Sequence, residues 1–166
     1  MDDIERFIAL PTDRKNQHVR ALGIDLGTTN STVSEVVWEL GKPPSCNVLE
    51  LIQPTQAGEY TSPLVPSILV ELPDKEVWIG EGAKRLRAFL QKANLLHEKN
   101  LFYETKNDMG LRKTYFRAPE RFNHASKIAG AILSFLKGGA ESVSNGSYKQ
   151  ISVTVPASFL LNQRQD

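Results

Sequence analysis

Within Gly23-Ile24-Asp25-Leu26-Gly27-Thr28-Thr29-Asn30-Ser31 an aspartate interrupts an otherwise apolar run, and two glycines bracket it. The run Ala21 to Leu26 is bounded by Gly27 to Asn30, and Ser31 to Trp38 alternates roughly between polar and apolar residues. This pattern predicts a strand, a tight polar turn and a second strand. A carboxylate buried in such a strand needs compensation, because without a cation or several donors its desolvation costs several kcal/mol; a metal ion, directly or through water, is a sensible partner. Gly27 lets another group approach the backbone, and the turn's N–H groups with the Thr28, Thr29 and Asn30 side chains are suited to surround phosphate oxygens. The turn joins two strands and so differs from the Gly-x-x-x-x-Gly-Lys-Ser/Thr loop, which leads into a helix N-terminus. Spacing alone leaves a second reading open, in which the polar turn merely caps a hairpin and Asp25 sits at a sheet edge.

The rest of the composition bounds this core feature. At 166 residues the chain fits one ordinary domain or part of a larger one, and with 40% hydrophobic and 23% charged residues it can bury a core. Twenty Lys and Arg stand against nineteen Asp and Glu, a net charge of +1, so no global field draws the chain to nucleic acid or an anionic membrane, and neither is expected as a partner. Any bound anion must be held locally. The single Cys46 excludes an internal disulfide, and the scattered His18, His97 and His124 form no zinc-type spacing. A reducing compartment follows, and an acidic start, Met1-Asp2-Asp3-Ile4-Glu5, with no long apolar run gives a cytoplasmic expectation.

Along the chain, residues 1–19 read as a polar N-terminal arm. A turn at Gly41 to Pro44 leads to a third expected strand, Asn47 to Ile52, and Pro54 to Pro66 reads as a long Pro, Gly, Thr and Ser-rich connection. Ser67 to Leu72 and Glu76 to Ile79 predict a hairpin around Pro73-Asp74. Ala83, Leu86, Phe89, Leu90 and Ala93 predict a helix from Gly80 to about Leu96. From Lys84 to Arg121 ten basic residues meet four acidic ones, which reads as a solvated face and loop, with an anionic partner surface as the alternative. A helix is expected to start at Pro119 and to end near Gly138-Gly139 or a little beyond. Gln150 to Val155 predicts a strand stopped by Pro156, and Leu161 to Gln165 the start of another helix, with the chain read as cut inside a larger domain.

Four landmarks in order carry a family resemblance: Gly23 to Ser31; Val65-Pro66-Ser67 before a strand; Trp78-Ile79-Gly80-Glu81-Gly82-Ala83-Lys84 opening a helix; and Val153-Thr154-Val155-Pro156-Ala157-Ser158-Phe159 followed by Asn162-Gln163-Arg164. From about Arg20 to Asp166 the chain resembles the N-terminal part of the ATPase domain of DnaK-type, seventy-kilodalton heat-shock chaperones, within the actin and sugar-kinase superfamily. The resemblance implies an α/β, ribonuclease-H-like (actin-like ATPase) half-domain with a mixed sheet, formed by residues 20–53 and 119–166. A small α+β subdomain, residues 54–118, is then inserted into it.

The same resemblance implies that Asp25 orients magnesium-bound waters, that Gly27, Thr28, Thr29 and Asn30 hold the phosphates of ATP or ADP, and that Lys106 is the catalytic lysine. Pro156 and Arg164 match an inter-domain relay. Unfolded polypeptide clients, J-domain co-chaperones and nucleotide-exchange co-chaperones are the implied partners. The second phosphate hairpin, a second aspartate and the peptide-binding domain are expected beyond residue 166, leaving the chain alone inactive. Leu160-Leu161 and a simple loop from Asn107 to Pro119 depart from the family pattern. The departure after Phe159 motivates one alternative, a hydrolysis-deficient chaperone-like scaffold or interaction protein; a small-molecule kinase of the same superfamily is a further, less favoured one.

Overall fold

The computed structural model describes residues 18–154. The expectations for residues 1–17, for Val155 and Pro156, and for the helix start at Leu161 to Gln165 lie outside the described residues. The leading pair is as the sequence predicts. Strand β1 (His18–Asp25) runs antiparallel to β2 (Asn30–Glu39), with Asp25 opposite Thr32 at the turn end. Leu22, Ile24 and Leu26 are buried on the core face, as two-residue alternation requires.

Strand β3 (Ser45–Val48) continues the antiparallel sheet beside β2. The expected third strand, Asn47 to Ile52, is in fact two. After the Leu49 N–H bonds the Val33 carbonyl (2.8 Å), the chain leaves this sheet and β4 (Leu51–Thr55) pairs instead with β5 (Gly58–Ser62). The supposed long connection from Pro54 to Pro66 therefore contains a hairpin. Its inward side chains are Leu51, Gln53 and Thr55, so two polar residues occupy the buried positions and erase the hydrophobic alternation that would have announced a strand. The Thr55 hydroxyl closes the turn, accepting from the Ala57 N–H (3.2 Å) and donating to the Gly58 carbonyl (2.7 Å). Strand β6 (Val65–Pro66) then adds to the start of β2.

Strand β7 (Ile68–Glu71) pairs with β8 (Val77–Ile79), the predicted hairpin, and with β9 (Leu101–Tyr103). Helix α1 spans only Glu81–Arg87. The predicted continuation to Leu96 fails because Ala83 and Leu86 reach the core whereas Phe89 and Leu90 are exposed. Past Arg87 the bonds tighten to three-residue spacing, Ala88 N–H to Arg85 and Phe89 N–H to Leu86, and Asn94 turns the chain at φ 51°. A 3-10 turn (Glu120–Phe122) follows Pro119, and helix α2 (Ala125–Val143) buries Ala125, Ile128, Ala129, Ile132, Leu136 and Ala140. It runs past Gly138-Gly139; a Cβ on Gly139 would press on Leu51 of β4.

Strand β10 (Gln150–Thr154) returns parallel to β1, giving the order β10-β1-β2-β3. The architecture is mixed α/β with several sheets, and in chain order α2 comes before the returning parallel strand, which pairs directly with β1. Arg20 and Glu35 cement this return. Arg20 Nε donates to Glu35 (2.8 Å), the Tyr148 hydroxyl donates to the same oxygen (2.9 Å), and Gly146 leaves room for the guanidinium.

Candidate functional site

The turn between β1 and β2 has almost no steric latitude. A Cβ at Gly27 would stand 2.0 Å from the Asn30 carbonyl oxygen, so this closure admits only glycine. Val65-Pro66-Ser67 locks the turn from outside. Buried Ser67 donates its hydroxyl to the Gly27 carbonyl (2.7 Å), shares a hydrogen bond with the buried Ser31 hydroxyl (2.9 Å), and donates its N–H to the Thr29 carbonyl (2.8 Å). Thr29 and Asn30 are exposed, and Thr28 is half-buried.

Lys106 reaches this turn from 80 residues away. It sits in a 3-10 turn (Thr105–Asp108), entered through Glu104 in the left-handed region at φ 56°, and its Nζ donates to the Leu26 carbonyl at the root of the polar turn. Gly27, Thr28 and Ser67 from one side, Thr105 and Lys106 from the other, line a single small pocket floored by Ile132 of α2. Three of the predicted elements, the turn, the lysine and the end of β1, thus meet.

Asp25 is not the buried carboxylate expected. It is exposed, because its neighbours Ile24 and Leu26 take the core face and alternation turns Asp25 to the other. Its Oδ1 accepts a hydrogen bond from the Thr154 hydroxyl of β10 (2.6 Å), its direct cross-strand partner. Desolvation therefore gives no reason for a bound cation. Among the described residues no three His, Cys, Asp or Glu side chains gather in a way that could hold a metal.

Behind Lys106 lies a second polar cluster. Asp108 Oδ2 accepts from the Tyr115 hydroxyl (2.7 Å) and from Lys113 Nζ (2.9 Å), and Lys113 also reaches Glu98 (2.7 Å). Burial, helped by the Asp108 carboxylate, pushes the Tyr115 hydroxyl well above the ordinary tyrosine range, so it remains a donor. Hydrogen bonds to Asp108 and Glu98 likewise raise Lys113. Further off, burial pushes Glu71 up, but hydrogen bonds from Lys75 (3.0 Å) and Arg121 (3.1 Å) prevail and hold its carboxylate below the usual range.

The basic stretch is largely consumed in such pairs. Lys84 and Arg85 bind Glu81, Arg87 stacks on Tyr103, and Arg121 holds Glu71. This favours the solvated face and loop over an anionic partner surface.

No protein-family profile matches the chain. A mitochondrial-type heat shock protein 70 from Encephalitozoon hellem is 32% identical over 160 residues, covering 87% of this chain and 25% of that protein. A chaperone protein DnaK from Cenarchaeum symbiosum (strain A) is 29% identical over 146 residues, covering 88% of this chain and 20% of that protein. Over most of its length the chain is similar to part of heat shock protein 70 (DnaK) chaperones. It spans between a fifth and a quarter of the length of these curated relatives.

Pro156 and Arg164, expected to form an inter-domain relay, lie outside the described residues. Two residues of the site escaped the sequence reading as site residues. Ser67 carried a signal, since Val65-Pro66-Ser67 stands out as a landmark, but nothing local says that its hydroxyl reaches back 40 positions to Gly27. Thr154 lies in the Val153-Thr154-Val155-Pro156 landmark, and only the parallel register of β10 brings it to Asp25. No helix among the described residues is long and apolar enough to cross a membrane.

Proposed function

We infer that the protein is an ATP-hydrolysing molecular chaperone of the DnaK type, and that this chain supplies one wall of its nucleotide cleft. The observation that carries the reading is the approach of Lys106 to the Leu26 carbonyl, which sets a cation beside a glycine-closed, hydroxyl-rich turn. Near-zero net charge suits this arrangement, because the anion is then gripped by local donors and not by a basic surface.

In this reading Gly27, Thr28, Thr29 and Asn30 hold the phosphates of ATP or ADP. Lys106, a compact point charge, stabilises the terminal phosphate and orients an attacking water. Asp25 fits a magnesium site reached through water: that ion takes one or two carboxylates and keeps several waters, and an exposed carboxylate with one oxygen engaged by Thr154 offers such a partner. Magnesium bound with the nucleotide neutralises phosphate charge. Residues 20–53 and 119–166 form the ribonuclease-H-like, actin-like part of the cleft, with 54–118 inserted. Hydrolysis drives the folding of unfolded polypeptide clients, in concert with J-domain and nucleotide-exchange co-chaperones, and Pro156 and Arg164 relay nucleotide state. The setting is the cytoplasm.

Titration calorimetry with Mg-ATP tests this on the 166-residue chain and on the gene's full-length product. The full-length protein is expected to bind tightly and turn over, with Lys106→Ala lowering turnover roughly 100- to 1000-fold, while the 166-residue chain binds weakly or not at all. Equal, tight binding by both would sink the one-wall reading. Tight binding without turnover by the full-length protein would favour the hydrolysis-deficient scaffold.

A further inference from the structure

We propose that Asp108 and Tyr115 are positioning residues for Lys106, fixing the turn that carries it against the Gly27–Asn30 turn; this rests on the role given to Lys106 above. A lysine side chain is long and rich in rotamers, so a fixed ammonium needs an anchored base. The base here is a four-residue 3-10 turn with little strength of its own. It is entered through a non-glycine residue at positive φ and braced by the Asn107 N–H to Glu104 (3.1 Å) and the Met109 N–H to Lys106 (3.3 Å).

What secures the turn is Asp108, two residues after Lys106. Its carboxylate is gripped by Tyr115 and Lys113, and Lys113 is tied in turn to Glu98. The Tyr115 ring is buried against Phe102 (5.9 Å between centroids), which packs on Phe122 (5.8 Å), and the Tyr115 N–H donates to the Asn123 carbonyl (2.9 Å). The hydroxyl thus links the aromatic core to the C-terminal end of the lysine's turn. The loop from Asn107 to Pro119 supplies Asp108, Lys113 and Tyr115.

The test uses the full-length product with Tyr115→Phe, which keeps the ring and removes the hydroxyl, and Asp108→Asn, which keeps the shape and removes the charge. Steady-state kinetics with Mg-ATP should show kcat falling roughly ten- to a hundredfold with KM for ATP nearly unchanged. Adding Tyr115→Phe to Lys106→Ala should cost nothing further. Undiminished kcat in both variants, beside a collapse in Lys106→Ala, overturns the proposal and leaves the proposed function standing. Absence of turnover in the unsubstituted protein overturns the proposed function. The positioning is then decided by NMR of 13C-methylated lysines, with Lys106→Arg assigning the resonance. Movement of the Lys106 signal toward those of exposed lysines in either variant supports the anchor, and an unmoved signal in both refutes it.

Discussion

The Gly27–Asn30 turn and the Thr105–Asp108 turn face each other across one pocket, yet different forces hold them. The first is closed by backbone geometry: a glycine that tolerates an oxygen where a Cβ would stand, flanking strands in fixed register, and a serine that satisfies carbonyls on two of its residues. The second is held at its ends by side chains, Lys106 onto Leu26 and Asp108 onto Tyr115 and Lys113. In the proposed function the first turn cradles phosphate, which needs fixed main-chain donors, so steric closure suits it. A catalytic cation needs only its tip placed, and side-chain anchors can do that while leaving the backbone softer.

The comparison breaks most decisively at Gly27. Gly27→Ala drives a methyl group into the Asn30 carbonyl, and the turn must open. We expect a loss of about 2–4 kcal/mol in stability, read by urea or thermal unfolding, together with loss of nucleotide binding. If Gly27→Ala is tolerated within about 0.5 kcal/mol, steric closure is not what holds the first turn.

Ser67→Ala comes next. It leaves the Gly27 carbonyl and the Ser31 hydroxyl short of a partner in a buried setting, at an expected cost of about 1–3 kcal/mol. Amide hydrogen exchange should speed up around residues 27–31 and stay unchanged around 105–110, because among the described residues the hydroxyl of Ser67 bonds Gly27 and Ser31. Equal acceleration in both would show that the two turns open as one unit.

The same contrast explains what could be read from the chain. The first turn was legible because local rules make it: glycine, alternation and β-turn chemistry all lie within ten residues. Helix α2 was legible because its buried stripe, Ile128, Ile132 and Leu136, recurs at helical spacing. The β4–β5 hairpin was not, since Gln53 and Thr55 occupy its buried positions and Gln53 is paid back only at long range. Its amide donates to the Leu64 carbonyl (3.1 Å) and accepts from the Glu81 N–H (2.9 Å), capping α1. The end of α1 was misjudged because Phe89 and Leu90 keep helical spacing yet find no core to enter. The burial expected for Asp25 fails one simple test: apolar neighbours on a strand point away from the residue between them. Lys106 could be singled out only by resemblance, its local surroundings being one cation among many.

Tyr115→Phe examines the second turn with an expected effect of similar size. Ring packing survives and one hydrogen bond to a carboxylate is lost, costing roughly 1.5–3 kcal/mol at most. Its pH dependence is more telling. Folding raises the hydroxyl's ionisation above the ordinary value near 10, so the contribution is fully present below that pH. It is lost as the unfolded chain ionises first at higher pH. Chemical denaturation across that range should show stability falling with alkalinity in the unsubstituted protein, and a flatter profile in Tyr115→Phe. Matching profiles would mean that the hydroxyl is not held as a buried donor.

The smallest effect is expected at Lys113. Its ammonium bridges Asp108 and Glu98, but it is 39% exposed, so water and salt screen the pairs. Lys113→Gln should therefore cost only about 0–1 kcal/mol at low salt and become indistinguishable from the unsubstituted protein in 1 M salt. Tyr115→Phe should keep its deficit at both ionic strengths, since a buried hydroxyl bond is poorly screened. Denaturant midpoints of the two variants at low and high salt separate these contributions. If Lys113→Gln proves the costlier at high salt, then the surface ion pairs, and not the buried tyrosine, anchor the turn that carries Lys106.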